Sequence, residues 1–155
     1  MSTHRFRARY RGIAWTAIGV GGTLAAIALG LGAATLPLVS GALGVAFGGA
    51  YLGSPTWRLR VIVDDEALEV RGPRGAKFRV PWGDVVRVVA APTQASCFVD
   101  GGTPARSLLV PGEGAPAPYD IEDRPGLVAA ILAHVPADRV QIVASLEAAL
   151  APPPA

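Results

Sequence analysis

The sequence predicts a membrane α-hairpin plus a small β-rich α+β domain. Three observations carry this: an uncharged apolar stretch over positions 12–53, an alternating apolar/polar pattern that begins at Trp57, and an apolar stripe at helical spacing over 127–135. With 51% hydrophobic and 17% charged residues and a mean hydropathy of +0.40, the chain is too apolar for an ordinary soluble domain or for disorder.

One helix over positions 12–53 would be about 60 Å long, twice the hydrocarbon thickness of a bilayer, so the stretch has to fold back. Thr35-Leu36-Pro37 is the natural break, because proline suits the first turn of a new helix and disfavours helix just before it. The spans then cover about 13–34 and 37–53, with Trp15, Tyr51 and Trp57 suited to the interface. Small residues at four-residue spacing let helix backbones approach closely. They mark a packing seam at Gly22, Ala26 and Gly30 on the first span and at Gly44 and Gly48 on the second, with Gly49 and Gly53 as a further pair. An arginine-rich start with small residues at Gly32-Ala33-Ala34 also fits a secretory signal, but the apolar core is long for one and a second uncharged run follows at once.

The net charge of +2 conceals a split. Arg5, Arg7, Arg9 and Arg11 precede the first span without an acid, whereas ten basic and twelve acidic residues follow from Trp57 onward. Residues 1–11 therefore read as a basic flanking tail, and the basic excess gives no reason to expect a nucleic-acid partner. Arginines flank both outer ends of the spans and the hairpin turn carries none, which places the N- and C-termini in the cytoplasm. Abundant Ala, Gly and Pro, with Lys77 the only lysine, point to a GC-rich bacterial genome and hence to an inner (cytoplasmic) membrane.

Over 56–150 short strands alternate with turns. Residues 57–63 and 67–71 alternate, separated by Asp64-Asp65-Glu66, and Gly72-Pro73-Arg74-Gly75 turns the chain into 77–80. Pro81-Trp82-Gly83-Asp84 forms a corner before an apolar strand over 85–91, followed by strands at 96–99 and 106–110. Residues 111–118 form a Pro/Gly-rich loop. Asp123 and Pro125 then start a helix whose stripe is Leu127, Val128, Ile131, Leu132 and Val135. Asp138 suits the start of a further helix to Leu150, although 140–143 reads equally as strand. The Ala/Pro tail, 151–155, is expected to be disordered.

This order of strands, corner, hairpin and helix resembles the bacterial pleckstrin-homology-like (PH-like) domains that accompany membrane hairpins in small membrane proteins. The residues carrying the resemblance are the strand 57–63, the hairpin through Val80, the corner 81–85, the hairpin 98–102 and the helix 127–135. It implies a bent antiparallel sheet or barrel plugged by a C-terminal helix, mostly without an assigned activity. Eukaryotic relatives hold phosphoinositides through basic residues in the first strand loop. Here that loop is Asp64-Asp65-Glu66, so that activity does not carry over.

The residues suggest no catalytic site, cofactor or metal. Cys97 is a lone cysteine in a strand, and His4 and His134 are far apart in sequence. Asp64-Asp65-Glu66 reads as a turn and Asp120, Glu122 and Asp123 as a helix start; neither has a calcium-loop pattern. Gly101-Gly102 and Gly112-x-Gly114 are turn glycines, and Trp82 is a packing anchor. The one suggestive cluster is basic: Arg71, Arg74, Lys77 and Arg79 surround one hairpin, as a solvated face or as a contact for anionic lipid or a partner. The expected role is a non-catalytic, membrane-anchored binding or assembly module that engages a protein partner, a second copy or the membrane face. An accessory subunit of a transport or envelope-processing complex is the alternative.

Overall fold

The computed structural model describes residues 1–32 and 35–150. It divides into two compact units: Ala8–Pro55, and a second that joins Met1–Arg7 to Thr56–Ala155. The expected end of the first span at Ala34 and the tail 151–155 lie outside the described residues.

The first unit is a helical hairpin, α1 (Arg11–Gly30) and α2 (Thr35–Leu52). Both helices are long and apolar enough to cross a membrane, with mean hydropathy 1.7 for α1 and 1.4 for the window that begins with α2. Pro37 falls in the first turn of α2, where its missing N–H costs no helical bond. Burial is inverted relative to a soluble hairpin. Ala14, Gly21 and Ala28 of α1 and Gly41 and Gly48 of α2 are buried, whereas Leu29, Leu36 and Phe47 are 68%, 78% and 72% exposed.

Backbone proximity explains the small residues. A Cβ on Gly21 would stand 2.6 Å from the Gly41 carbonyl oxygen, and one on Gly48 would stand 2.7 Å from that of Ala14. Gly44 faces Ala17 in the same seam. On α1 the seam runs one residue off the expected face: Gly22 touches only the Val45 side chain, Ala26 is exposed, and Gly30 has nothing within 4 Å of where a Cβ would be. The α1 seam instead uses Ala14, Ala17, Gly21, Ala25 and Ala28.

The second unit is α+β with two sheets. The first, in spatial order β4-β3-β2-β1-β8, contains β1 (Ser2–Ala8), β2 (Arg60–Val63), β3 (Ala67–Gly72), β4 (Gly75–Pro81) and β8 (Tyr119–Ile121). The second, β7-β6-β5-β9, contains β5 (Arg87–Ala91), β6 (Ser96–Asp100), β7 (Leu108–Val110) and β9 (Val140–Ile142), the last parallel to β5. Helix α3 (Arg124–His134) buries Leu127, Val128 and Ile131 in the common core with Val61, Leu68, Val88 and Val99. A short α4 (Leu146–Leu150) follows β9, so 138–150 is strand and then helix, and no helix starts at Asp138.

The main departure from the sequence reading is at the N-terminus. Residues 2–8, expected as a flanking tail, form β1 and sit between β2 and β8. Alternation explains why: His4 and Phe6 are buried, while Arg5 and Arg7 point outward. Phe6 packs on Tyr119 with ring centroids 5.2 Å apart. His4 Nδ1 donates to the Glu122 carbonyl at 3.1 Å, and its Nε2 lies 3.2 Å from the Ser2 hydroxyl. Strands β2 and β7 start later than the alternation from positions 57 and 106 predicts, because 3-10 turns occupy Pro55–Arg58 and Pro104–Arg106. Strand β8 was not foreseen after the 111–118 loop.

Trp82 is buried at a 3-10 corner, where its indole N–H donates to the Asp64 carbonyl at 2.9 Å and its ring stacks on His134. The Asp64 carboxylate accepts from the Ala67 and Glu66 amides at 2.7 and 2.9 Å. Those bonds, first that from Ala67, hold its carboxyl below the ordinary value and identify the acidic triplet as a turn.

Because β1 is an inner strand, a fragment comprising residues 56–150 lacks Phe6 and one partner of β2. It should show no cooperative thermal transition by circular dichroism. The same fragment preceded by residues 1–8 and a short flexible linker should melt cooperatively. Equal melting of the two would contradict the placement of β1.

Candidate functional site

Strand pairing gathers arginines that are far apart in sequence. Arg5 on β1 lies directly opposite Arg60 on β2, and Arg60 lies directly opposite Arg71 on β3. Opposed residues point to the same face, with Cβ atoms about 5 Å apart. All three side chains are exposed, on the face away from Phe6, Val61 and Val70. Arg58, Trp57 and Pro73 complete a cleft of about 450 Å³ around this row.

Like charges placed directly opposite destabilise a sheet, and the acids nearby do not balance this row. Glu69, 7% exposed, binds Arg71 Nε at 2.6 Å. Arg5, Arg58 and Arg60 form no ion pair among the described residues. Five other arginines of the unit meet carboxylates: Arg7 with Glu122, Arg79 with Glu66 at 3.0 Å and Asp64 at 3.9 Å, Arg87 with Asp100 at 3.5 Å, Arg106 with Asp84 at 3.3 Å, and Arg124 with Asp120 at 3.1 Å, whereas Arg74 and Arg139 form no ion pair among the described residues. The cleft therefore holds four guanidinium groups against one carboxylate, a geometry that suits the oxygens of a phosphate or carboxylate.

The structure splits the basic cluster that the sequence singled out. Arg71 belongs to the cleft. Arg79 is held by the acidic turn, on the outward face that also carries Glu69. Arg74 lies in the turn beyond β3, and Lys77 is the extra residue where the β3–β4 register slips between Val70 and Arg71. Both are exposed and form no ion pair among the described residues. Arg5, Arg58 and Arg60 were missed because the row depends on strand pairing: β2 with β3 sets Arg60 opposite Arg71, and β1 with β2 adds Arg5. Their alternation with apolar residues was visible, but their partners were not.

The remaining polar groups have structural roles. Cys97 is fully buried, and burial pushes its thiol up to about 12, so it carries no reactive thiolate at neutral pH. His134 Nδ1 donates to the Ala130 carbonyl at 2.8 Å while the ring stacks on Trp82. Among the described residues, no group of three His, Cys, Asp or Glu side chains could hold a metal ion.

Comparison with known protein families, curated proteins and solved structures finds no match to this chain.

The repulsion in the arginine row is measurable. Arg60→Gln removes the central charge and both like-charge oppositions. It should stabilise the anion-free protein by about 0.5–1 kcal/mol at low salt, with the gain shrinking as salt screens the row. Thermal melting in a non-ionic detergent at two salt concentrations measures this. A loss of stability at low salt would show that the row is not repulsive.

Proposed function

We propose that this protein is a membrane-anchored, non-catalytic binding module whose arginine cleft engages the acidic phosphates of lipid headgroups at the cytoplasmic face of a bacterial inner membrane. The observation that carries this reading is the unbalanced row Arg5–Arg60–Arg71 beside Arg58, on stretches of chain that adjoin two apolar helices.

Two further features support it. The hairpin exposes Leu, Ile and Phe while burying Gly and Ala, which suits a lipid solvent and would be costly in water. The pairing of β1 with β2 also requires both ends of the hairpin to lie on one side of any membrane it crosses, the arrangement that the arginine distribution favours. The connectors are short, since β1 ends at Ala8 and α1 begins at Arg11, while α2 ends at Leu52 and β2 begins at Arg60. Arginines in these connectors and in the adjoining strands are therefore close, along the chain, to where a spanning hairpin enters the headgroup region. Each basic residue near an anionic surface contributes roughly 1 kcal/mol, and tethering raises the effective concentration of lipid at the cleft.

The PH-like reading is part of this proposal. A four-strand meander β1–β4, a three-strand meander β5–β7 and the packed helix α3 are the parts such a domain needs. Strands β8 and β9 and helix α4 are additions, and the hairpin occupies the β1–β2 connection.

The test uses the β unit with residues 9–55 replaced by a short linker. It should co-sediment with phosphatidylglycerol-rich vesicles at ~0.05 M salt and release at ~0.5 M, where the Debye length falls to a few ångströms. Arg5→Gln with Arg60→Gln should weaken binding at least ~10-fold, from about 1 kcal/mol per charge. Arg79→Gln, already matched by acids, should matter less. No binding at low salt, or binding indifferent to the Arg5/Arg60 pair, would overturn the reading.

A further inference from the structure

Charge and reach in the arginine cleft bear on the kind of headgroup it takes. Arg5, Arg58, Arg60 and Arg71 are its charged lining residues, and no acid lines it. The first three form neither an ion pair nor a side-chain hydrogen bond among the described residues, and Glu69 is the one carboxylate that meets the fourth. Four cations against that carboxylate leave an excess of three. A phosphodiester carries a single negative charge. One such headgroup therefore leaves the excess at two, with the like-charge oppositions across Arg60 largely in place. Two phosphates in one headgroup bring it to one.

Reach points the same way. Arg71 donates from Nε to the Glu69 carboxylate at 2.6 Å, and the Glu69 side chain is itself buried. That bond holds the Arg71 guanidinium at its end of the row. Its two terminal nitrogens form no hydrogen bond among the described residues, and they present the side-by-side donors that suit two phosphate oxygens. Arg5 stands at the other end, two strand spacings or about 9.5 Å away from backbone to backbone. A phosphate drawn to Arg71 leaves Arg5 to a second one, and Arg60, directly opposite both arginines, lies between them. The cleft's volume of about 450 Å³ falls within the range of small-molecule sites. Trp57, Leu59 and Pro73 give it an apolar part that suits the carbon linker of a lipid headgroup better than a free ion.

We propose that the cleft prefers a lipid headgroup bearing two phosphates to one bearing a single phosphodiester. Arg5 and Arg71 each hold one phosphate, Arg60 is shared between them, and Glu69 is a positioning residue that fixes Arg71. The preference rests on the lipid-binding reading and adds a headgroup class to it.

The test uses the full chain in neutral detergent micelles at ~0.05 M salt. Cardiolipin, with two phosphates, or phosphatidylglycerol, with one, is titrated in, and bound lipid is read by native mass spectrometry. Cardiolipin should bind about tenfold more tightly, the worth of one added set of charge-assisted hydrogen bonds. Arg60→Gln should remove most of that preference. Glu69→Ala separates charge from positioning. It raises the positive charge of the cleft, so charge alone tightens both lipids equally, whereas loss of positioning lowers the ratio of cardiolipin to phosphatidylglycerol affinity about threefold. An unchanged ratio would overturn the role of Glu69. Inorganic pyrophosphate should displace cardiolipin only in large excess; displacement at equal concentration would assign the cleft to soluble diphosphates and overturn the lipid source. Equal affinities for the two lipids, both weakened by Arg5→Gln with Arg60→Gln, would overturn the two-phosphate preference and leave the lipid-binding reading standing. Affinities indifferent to that pair of changes would overturn both.

Discussion

The pairing of β1 with β2 is the constraint on which the rest of the structure depends. It closes the first sheet around a strand that lies more than fifty residues away from its partner in sequence, and it makes the hairpin an insertion within a domain. Cost and compensation are both visible. Ordering residues 2–8 opposes folding by the loss of backbone entropy. Burial of Phe6 against Tyr119, the His4 bond to Glu122 and the ladder bonds to β2 offset that loss. A hairpin whose two ends close side by side also keeps the loop-closure penalty low, because the long connection is itself folded.

The same pairing organises charge. The β2–β3 hairpin sets Arg60 opposite Arg71, and β1 adds Arg5 on the other side of Arg60. Elsewhere in the unit several arginines meet carboxylates, as at Arg79 and Arg124. Arg5, Arg58 and Arg60 form no ion pair among the described residues, and a solvated surface gains nothing from three like charges placed in register.

Much of the fold was legible in local pattern. The proline at 37, the uncharged stretch and the 127–135 stripe each act within one or two turns of chain, so sequence spacing locates them. Long-range pairing is different. Thr3, Arg5 and Arg7 alternate with the buried His4 and Phe6, but a seven-residue strand rich in arginine resembles a membrane-flanking tail until its partners are known. The seam of the hairpin was misplaced on α1 for a related reason. Gly22, Ala26 and Gly30 are as well spaced as the Ala14, Gly21 and Ala28 set, and only the approach of Gly41 and Gly48 selects between the two faces. Within the basic hairpin cluster, Arg71 meets Glu69 on its own strand and Arg79 meets Glu66 and Asp64 of the turn before β3.

The most direct test of the account is whether β1 pairs with β2 in the full chain within a bilayer. Thr3 and Ile62 are register partners, and Ile62 in turn opposes Glu69. Cysteines at Thr3 and Ile62 should therefore form a disulfide rapidly under mild oxidation. Cysteines at Thr3 and Glu69, two strands apart at about 9.5 Å, should not. Buried Cys97 leaves the background low. Efficient bridging of the first pair alone is the predicted result; no bridging, or equal bridging of both pairs as a loose tail would give, contradicts the account.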